Sequence, residues 1–136
     1  MAKEKTEGQR KHSRNNSKAR HLQQWVAERI SQMLNIPVEK DGEIESRQMG
    51  QQGADVILRG IAVALFPAAI ECGSGESIQW LEKIRQAREH KSKRAAYFFW
   101  LVFLKRKEFK NPVVIMDAEY YFSLVEEVLK KRRLIA

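Results

Sequence analysis

One stretch limits the fold before any other argument: Ala95 to Leu104 (AAYFFWLVFL) is the longest strongly apolar run in the chain, at ten residues. That is about half of what a membrane-spanning helix needs. Its aromatic and β-branched content over Ala96–Leu104 instead predicts a central strand buried on both faces. Four consecutive aromatics, Tyr97, Phe98, Phe99 and Trp100, alternate sides on a strand and so read as core rather than as a base-stacking platform. Such a strand needs neighbours. Ala54–Arg59 (ADVILR), Pro67–Cys72 (PAAIEC) and Pro112–Met116 (PVVIM) supply them, and the polar stretch 43–49 reads as an exposed strand running into Gly50.

Between the strands the period changes to that of a helix. Leu22, Trp25, Val26, Ile30, Met33 and Leu34 form one apolar stripe, with Asn16 or Ser17 as cap and Pro37 as stop. Ile78, Leu81, Ile84 and Ala87 mark a second helix of about fifteen residues. Asp117 caps a last helix that carries Tyr121, Phe122, Val125, Val128 and Leu129 on its inner side. The order α-β-β-β-α-β-β-α describes a mixed central sheet flanked by helices, in the α/β or α+β class.

The charge is unevenly placed. Of 136 residues, 25 are Lys or Arg and 17 are Asp or Glu, a formal net charge of +8. Residues 1–20 hold seven basic and two acidic residues, a net +5. Residues 1–16 are expected to be a flexible basic arm, with Arg10, Lys11, Arg14, Lys18 and Arg20 available to phosphates; residues 17–136 form the domain. Further basic clusters lie at Arg85, Arg88, Lys91, Lys93 and Arg94, and at Lys130–Arg133. A polyanionic partner fits this pattern, with an acidic membrane surface or plain solubility as the alternatives. The single cysteine, Cys72, excludes a disulfide framework and a cysteine-based zinc site. No signal-peptide core follows Met1, so the expected compartment is the cytosol. There is no phosphate-cradling glycine loop.

The chemistry concentrates in two strands that each carry an acid among apolar neighbours, Asp55 in GADVI and Glu71 in AIEC. A carboxylate in such a strand is costly to bury without a partner. An antiparallel hairpin turning near residue 63 would set Asp55 opposite Glu71, with Cβ atoms roughly 5 Å apart. Two like charges there repel unless a divalent cation lies between them, and Mg²⁺ takes one or two carboxylates while keeping waters for a phosphate. The alternative is structural: Asp55 as a turn residue, and Glu71 paired with Arg47 or Arg59. Cys72 reads as a small buried hydrophobe rather than a nucleophile. His12, His21 and His90 show no metal-ligand spacing. Trp80, off the apolar line of the second helix, is a candidate for a dimer interface.

An aspartate followed sixteen residues later by a glutamate at the end of a Pro-led apolar strand resembles the PD-(D/E)xK nuclease superfamily. Ser46-Arg47-Gln48-Met49-Gly50-Gln51-Gln52-Gly53-Ala54-Asp55 is similar to the approach to the aspartate in phage-type Holliday junction resolvase-like endonucleases. Phe66-Pro67-Ala68-Ala69-Ile70-Glu71-Cys72, followed by Glu76, resembles their second motif, and Arg85-Gln86-Ala87 the helix after it. The likeness covers about residues 18–125. It implies a restriction-endonuclease-like core and an enzyme that cleaves phosphodiesters of branched DNA as a homodimer, with Mg²⁺ (Mn²⁺ as substitute), in a bacterial cell or phage-infected host. Asp55 and Glu71 would hold the metal, with the Cys72 carbonyl as third ligand. Gln86 would orient the site, Arg47 would touch DNA, and Gln23, Gln24, Glu43 or Glu45 could add a ligand.

One departure stands out. Gly73 occupies the position of the family's lysine, whose ammonium positions the attacking water and offsets charge on the phosphate. The lysine has moved, with Lys83 the nearest candidate; or Gly73 is an inactivating replacement; or the chain is a natural pseudo-nuclease that binds DNA without cutting it. The intact acid pair favours replacement at Gly73. The rival outside enzymology is a non-catalytic DNA-binding protein, and a third reading is a basic scaffold that binds another protein through its final helix.

Overall fold

The computed structural model describes residues 6–47, 53–75 and 79–134. The chain runs α1 (Glu7–Leu34), β1 (Ile44–Ser46), β2 (Val56–Leu58), α2 (Gly60–Leu65), β3 (Ala68–Ser74), α3 (Trp80–Lys93), β4 (Phe99–Lys105), β5 (Val113–Met116) and α4 (Ala118–Lys131). The strands form one mixed sheet in the order β1-β2-β3-β4-β5. β3 and β4 pair in parallel through the α3 crossover, and every other neighbouring pair is antiparallel. No helix among the described residues is long and apolar enough to cross a membrane.

Alternation along β3 decides how the layers assemble. Ala68, Ile70 and Cys72 face α1, where they meet Leu22, Val26 and Ile30 together with Val56, Leu58, Phe99 and Leu101. On the other face Val102 and Leu104 of β4 meet Ala87 and Ile84 of α3. Small residues along β3 (Ala68, Ala69, Gly73) let both helices approach the middle strand closely. The apolar run at 95–104 is thus next to the centre of the sheet, with β3 in the centre itself.

Several expectations change. The loop between β2 and β3 is not a tight turn but the short helix α2, which buries Ala62 and Val63. β1 is not exposed: Ile44 is fully buried and Glu45 nearly so, because β1 pairs with β2 under α1. The first helix begins at Glu7, not near Ser17, so residues 7–16 of the expected arm are helical in backbone. Glu7, Gln9, Arg10, Lys11 and Arg14 there are adequate helix formers, and a missing apolar stripe removes packing without removing helicity. Residues 1–5, Gly50, Glu76 and Ile78 lie outside the described residues. Trp25, Met33 and Leu81 sit on the exposed sides of their helices, and Phe98, just before β4, is 72% exposed. α4 buries none of its residues; Tyr121, Phe122 and Val128, expected on its inner side, are exposed. Only the start of α4 is anchored, where Asp117 caps it and Tyr120 stacks on Phe99 with ring centroids 4.2 Å apart.

Ile70→Ala should lower unfolding free energy by about 2–5 kcal/mol, because Ile70 is fully buried between β2, β4 and α1. Val114→Ala on the exposed side of β5 should change it by about 0.5 kcal/mol or less. Urea denaturation compares the two.

Candidate metal and phosphodiester site

β2 and β3 pair through Val56 opposite Ile70, and the Asp55 N–H donates to the Ile70 carbonyl at 2.9 Å. This is the register expected from the sequence, although a helix rather than a turn closes it. Val56 and Ile70 face α1, so Asp55 and Glu71 share the face under α3. Both are buried, at 1% and 2% exposure.

Each carboxylate has a defined set of neighbours. Arg47 Nη2 donates to Asp55 Oδ1 at 2.8 Å, and the Cys72 N–H donates to Asp55 Oδ2 at 2.7 Å. Lys83, from the first half of α3, puts Nζ 3.6 Å from Asp55 Oδ2 and 3.9 Å from Glu71 Oε2. Two turns further along α3, His90 Nε2 lies 3.2 Å from Glu71 Oε1. That oxygen is buried and makes no hydrogen bond with the described residues.

The two acids divide one proton unequally. Burial raises the Glu71 carboxyl most, the adjacent Asp55 charge adds to it, and together they push it up to about 9. Burial also works against ionised Asp55, but the Glu71 hydrogen bond, the Lys83 charge, the Cys72 amide and Arg47 outweigh it and hold Asp55 below the usual carboxylate range. Burial lowers His90, with Lys93 adding to the effect, so His90 faces Glu71 as a neutral imidazole near pH 7. The site without metal is therefore an aspartate, a protonated glutamic acid, an arginine and a lysine.

The donor set fits Mg²⁺. Among the described residues no group of three or more His, Cys, Asp or Glu side chains is gathered to hold a metal. Mg²⁺ needs only one or two carboxylates and keeps its waters. The unpartnered Glu71 Oε1 is an open acceptor at that position. Alternation along β3 also turns the Cys72 carbonyl to the β2 side, the side on which its N–H meets Asp55.

Lys83 brings an ammonium to both carboxylates, and Gly73 brings none. Gly73 is buried on β3 opposite Leu104, under the helix that carries Lys83. Gln86 does not reach the acids; its amide lies 3.4 Å from Glu82. Arg47 holds Asp55 rather than standing free for DNA. Gln23 is buried on the α1 face beside Ser46, and Gln24 is exposed beside Glu28, so neither joins the pair. Glu45 is tied to Arg59 and the Asp41 N–H, and Glu43 accepts from the Ile61 N–H. Lys18 and Arg20 are exposed, while the side chains of Arg10, Lys11 and Arg14 lie outside the description. In the middle basic cluster Arg85 and Lys93 are paired with glutamates of their own helix. His90 was missed by a search for metal-ligand spacings. The readable signal was the stripe Lys83–Ala87–His90, one helix face with a small residue at its middle.

The protonation pattern fixes a pH response. Above the ordinary 4.5 the unfolded chain ionises Glu71, while the metal-free fold keeps the proton until about 9. Stability from this group therefore falls as pH rises through that window, by at most about 1.4 kcal/mol per pH unit. Asp55 acts in the opposite sense only in acid, below its ordinary 3.8. Glu71→Gln keeps a donor toward Asp55 without a titrating proton. In EDTA its Tm should match the parent near pH 4 and exceed it by at least about 4 °C at pH 8. A pH-independent Tm difference would contradict the assignment.

No protein-family model, no curated protein and no solved structure matches the chain. The reading of this site therefore stands on its residues and their geometry.

Proposed function

We propose that the chain is a Mg²⁺-dependent endodeoxyribonuclease acting on branched DNA, with a restriction-endonuclease-like core. The observation that supports this reading best is the buried Asp55–Glu71 pair spanned by the Lys83 ammonium. When bound, Mg²⁺ supplies an activated water and stabilises the leaving oxygen. The chain's own residues supply the rest. Arg47 and the Cys72 amide hold Asp55 ionised and in one orientation. Glu71 releases its proton when a cation takes its place. Lys83 reaches both acids and places a positive charge where a phosphate would gain negative charge, a contribution of about 10²–10³-fold.

Branched DNA and the homodimer come from the resemblance in motifs. Two symmetric cuts need two sites, which a C2 dimer provides. The exposed apolar side chains of α4 (Tyr121, Phe122, Val128), with Val113 and Val114 on β5, supply a face that such a dimer could cover. Trp80, at 51% exposure, remains available as well. A second reading, the non-catalytic DNA-binding protein, is favoured by one observation: Arg47 and Lys83 already pair with the carboxylates.

Labelled four-way junction and linear duplex, each with EDTA, Mg²⁺ or Mn²⁺, separate the two. The parent should cleave the junction only with metal. Asp55→Ala should abolish cleavage. Lys83→Ala should slow it by about 10²–10³-fold with binding within a few-fold, and Lys83→Arg should restore part of the rate. Salt-sensitive binding with no cleavage under any condition would leave the non-catalytic reading in place.

A further inference from the structure

The acid pair uses the α3 face of the sheet, but a hollow opens elsewhere. It is about 420 Å³ and lies beyond the carboxyl ends of β3 and β4, on the side of α1. Ser74 and Gly75 end one strand there, Lys105 and Arg106 end the other, and the Gly75 N–H donates to the Lys105 carbonyl at 3.2 Å. The carboxyl ends of a parallel pair in an open sheet are where α/β folds place ligands. A volume of this order suits one small-molecule-sized group.

The lining has two chemistries. Lys18, His21, Leu22 and Trp25 follow one another at i, i+3, i+4 and i+7, so one stripe of α1 forms a wall, with an indole 42% exposed at its end. The loop after β4 forms the opposite wall. There Arg106 is engaged by Glu108, and Lys105 donates to the carbonyls of Arg106 and Phe109, which holds the loop in shape. Lys18, Lys107 and Lys110 all line the hollow and are exposed. An aromatic surface bordered by lysines is the combination that binds single-stranded nucleic acid: stacking takes the base, and ammonium groups take the flanking phosphates.

We propose that this pocket takes an unpaired nucleotide of single-stranded DNA, with its base on Trp25 and its flanking phosphates on Lys18, Lys107 and Lys110. The proposal deepens the nuclease reading and rests on it only for DNA as the polyanion. Ser74 is three residues beyond Glu71, about 10 Å along β3, so a strand leaving the acid pair would reach the pocket around the end of the sheet within two or three nucleotides. A flap or gap beside a branch offers unpaired nucleotides, and a linear duplex does not.

Fluorescence anisotropy of labelled dT20 and of a 20-base-pair duplex, both in EDTA, tests the pocket without requiring catalysis. Trp25→Ala should weaken dT20 binding at least about tenfold and leave duplex binding within about twofold. Trp25→Phe should retain most of the affinity. Lys18→Ala with Lys110→Ala should reduce the slope of log affinity against log salt for dT20 by about 1.4. Circular dichroism and melting would establish that each variant is folded. Unchanged dT20 binding by Trp25→Ala, or an equal loss on duplex, would overturn the proposal. Failure of the parent to cleave with Mg²⁺ or Mn²⁺ would remove the nuclease reading without touching these affinities. Binding of neither DNA at low salt would overturn both.

Discussion

The placement of two carboxylates side by side in the interior is the constraint on which the rest of the site depends. Asp55 and Glu71 are both nearly inaccessible, and neither strand position can turn them to solvent without losing the Val56–Ile70 register. Two ionised acids there would repel in a poorly solvated setting. The fold meets this in three ways: a proton on Glu71, an arginine and an amide on Asp55, and a lysine between the two. Replacing the pair with apolar residues would be the simpler way to stabilise a sheet.

The same constraint explains why the layers divide as they do. α1 covers the apolar face of β3, and among the described residues none of its side chains pairs with the acids. α3 crosses the other face and presents Lys83, Ala87 and His90 on one stripe, with the buried Ala87 allowing close approach. Gly73 brings no charge to the pair, whereas Lys83 on the covering helix does. A lysine two residues beyond Glu71 on the strand and a lysine on the covering helix can each bring an ammonium to the same carboxylates.

Much of this was legible in the sequence. The alternation within ADVILR and PAAIEC predicted two strands, and the symmetry of Asp55 and Glu71 about residue 63 predicted their register, which holds although α2 replaces a turn. The mixed sheet flanked by helices was readable from the changes in period. What was not legible depends on the third dimension. Which face α3 covers decides that Lys83 and His90 meet Glu71 while Gln86 does not. Burial of Glu45 follows from the position of β1 under α1, and no local pattern in a polar stretch announces it. The exposed stripe on α4 reads as core from periodicity alone, because periodicity reports an apolar side and not what lies against it.

The pocket bordered by Trp25 and the acid pair lie on opposite faces of the sheet and share β3, whose carboxyl end joins them. The central claim is that the buried carboxylates form a cation-binding hydrolytic centre. A crystal soaked in Mn²⁺ and measured at the manganese edge tests it most directly. The account predicts an anomalous peak at about 2.1 Å from oxygens of both Asp55 and Glu71, with Lys83 displaced from its present position between them. A metal-soaked crystal with Lys83 still bridging the two acids, and no peak beside them, would contradict it.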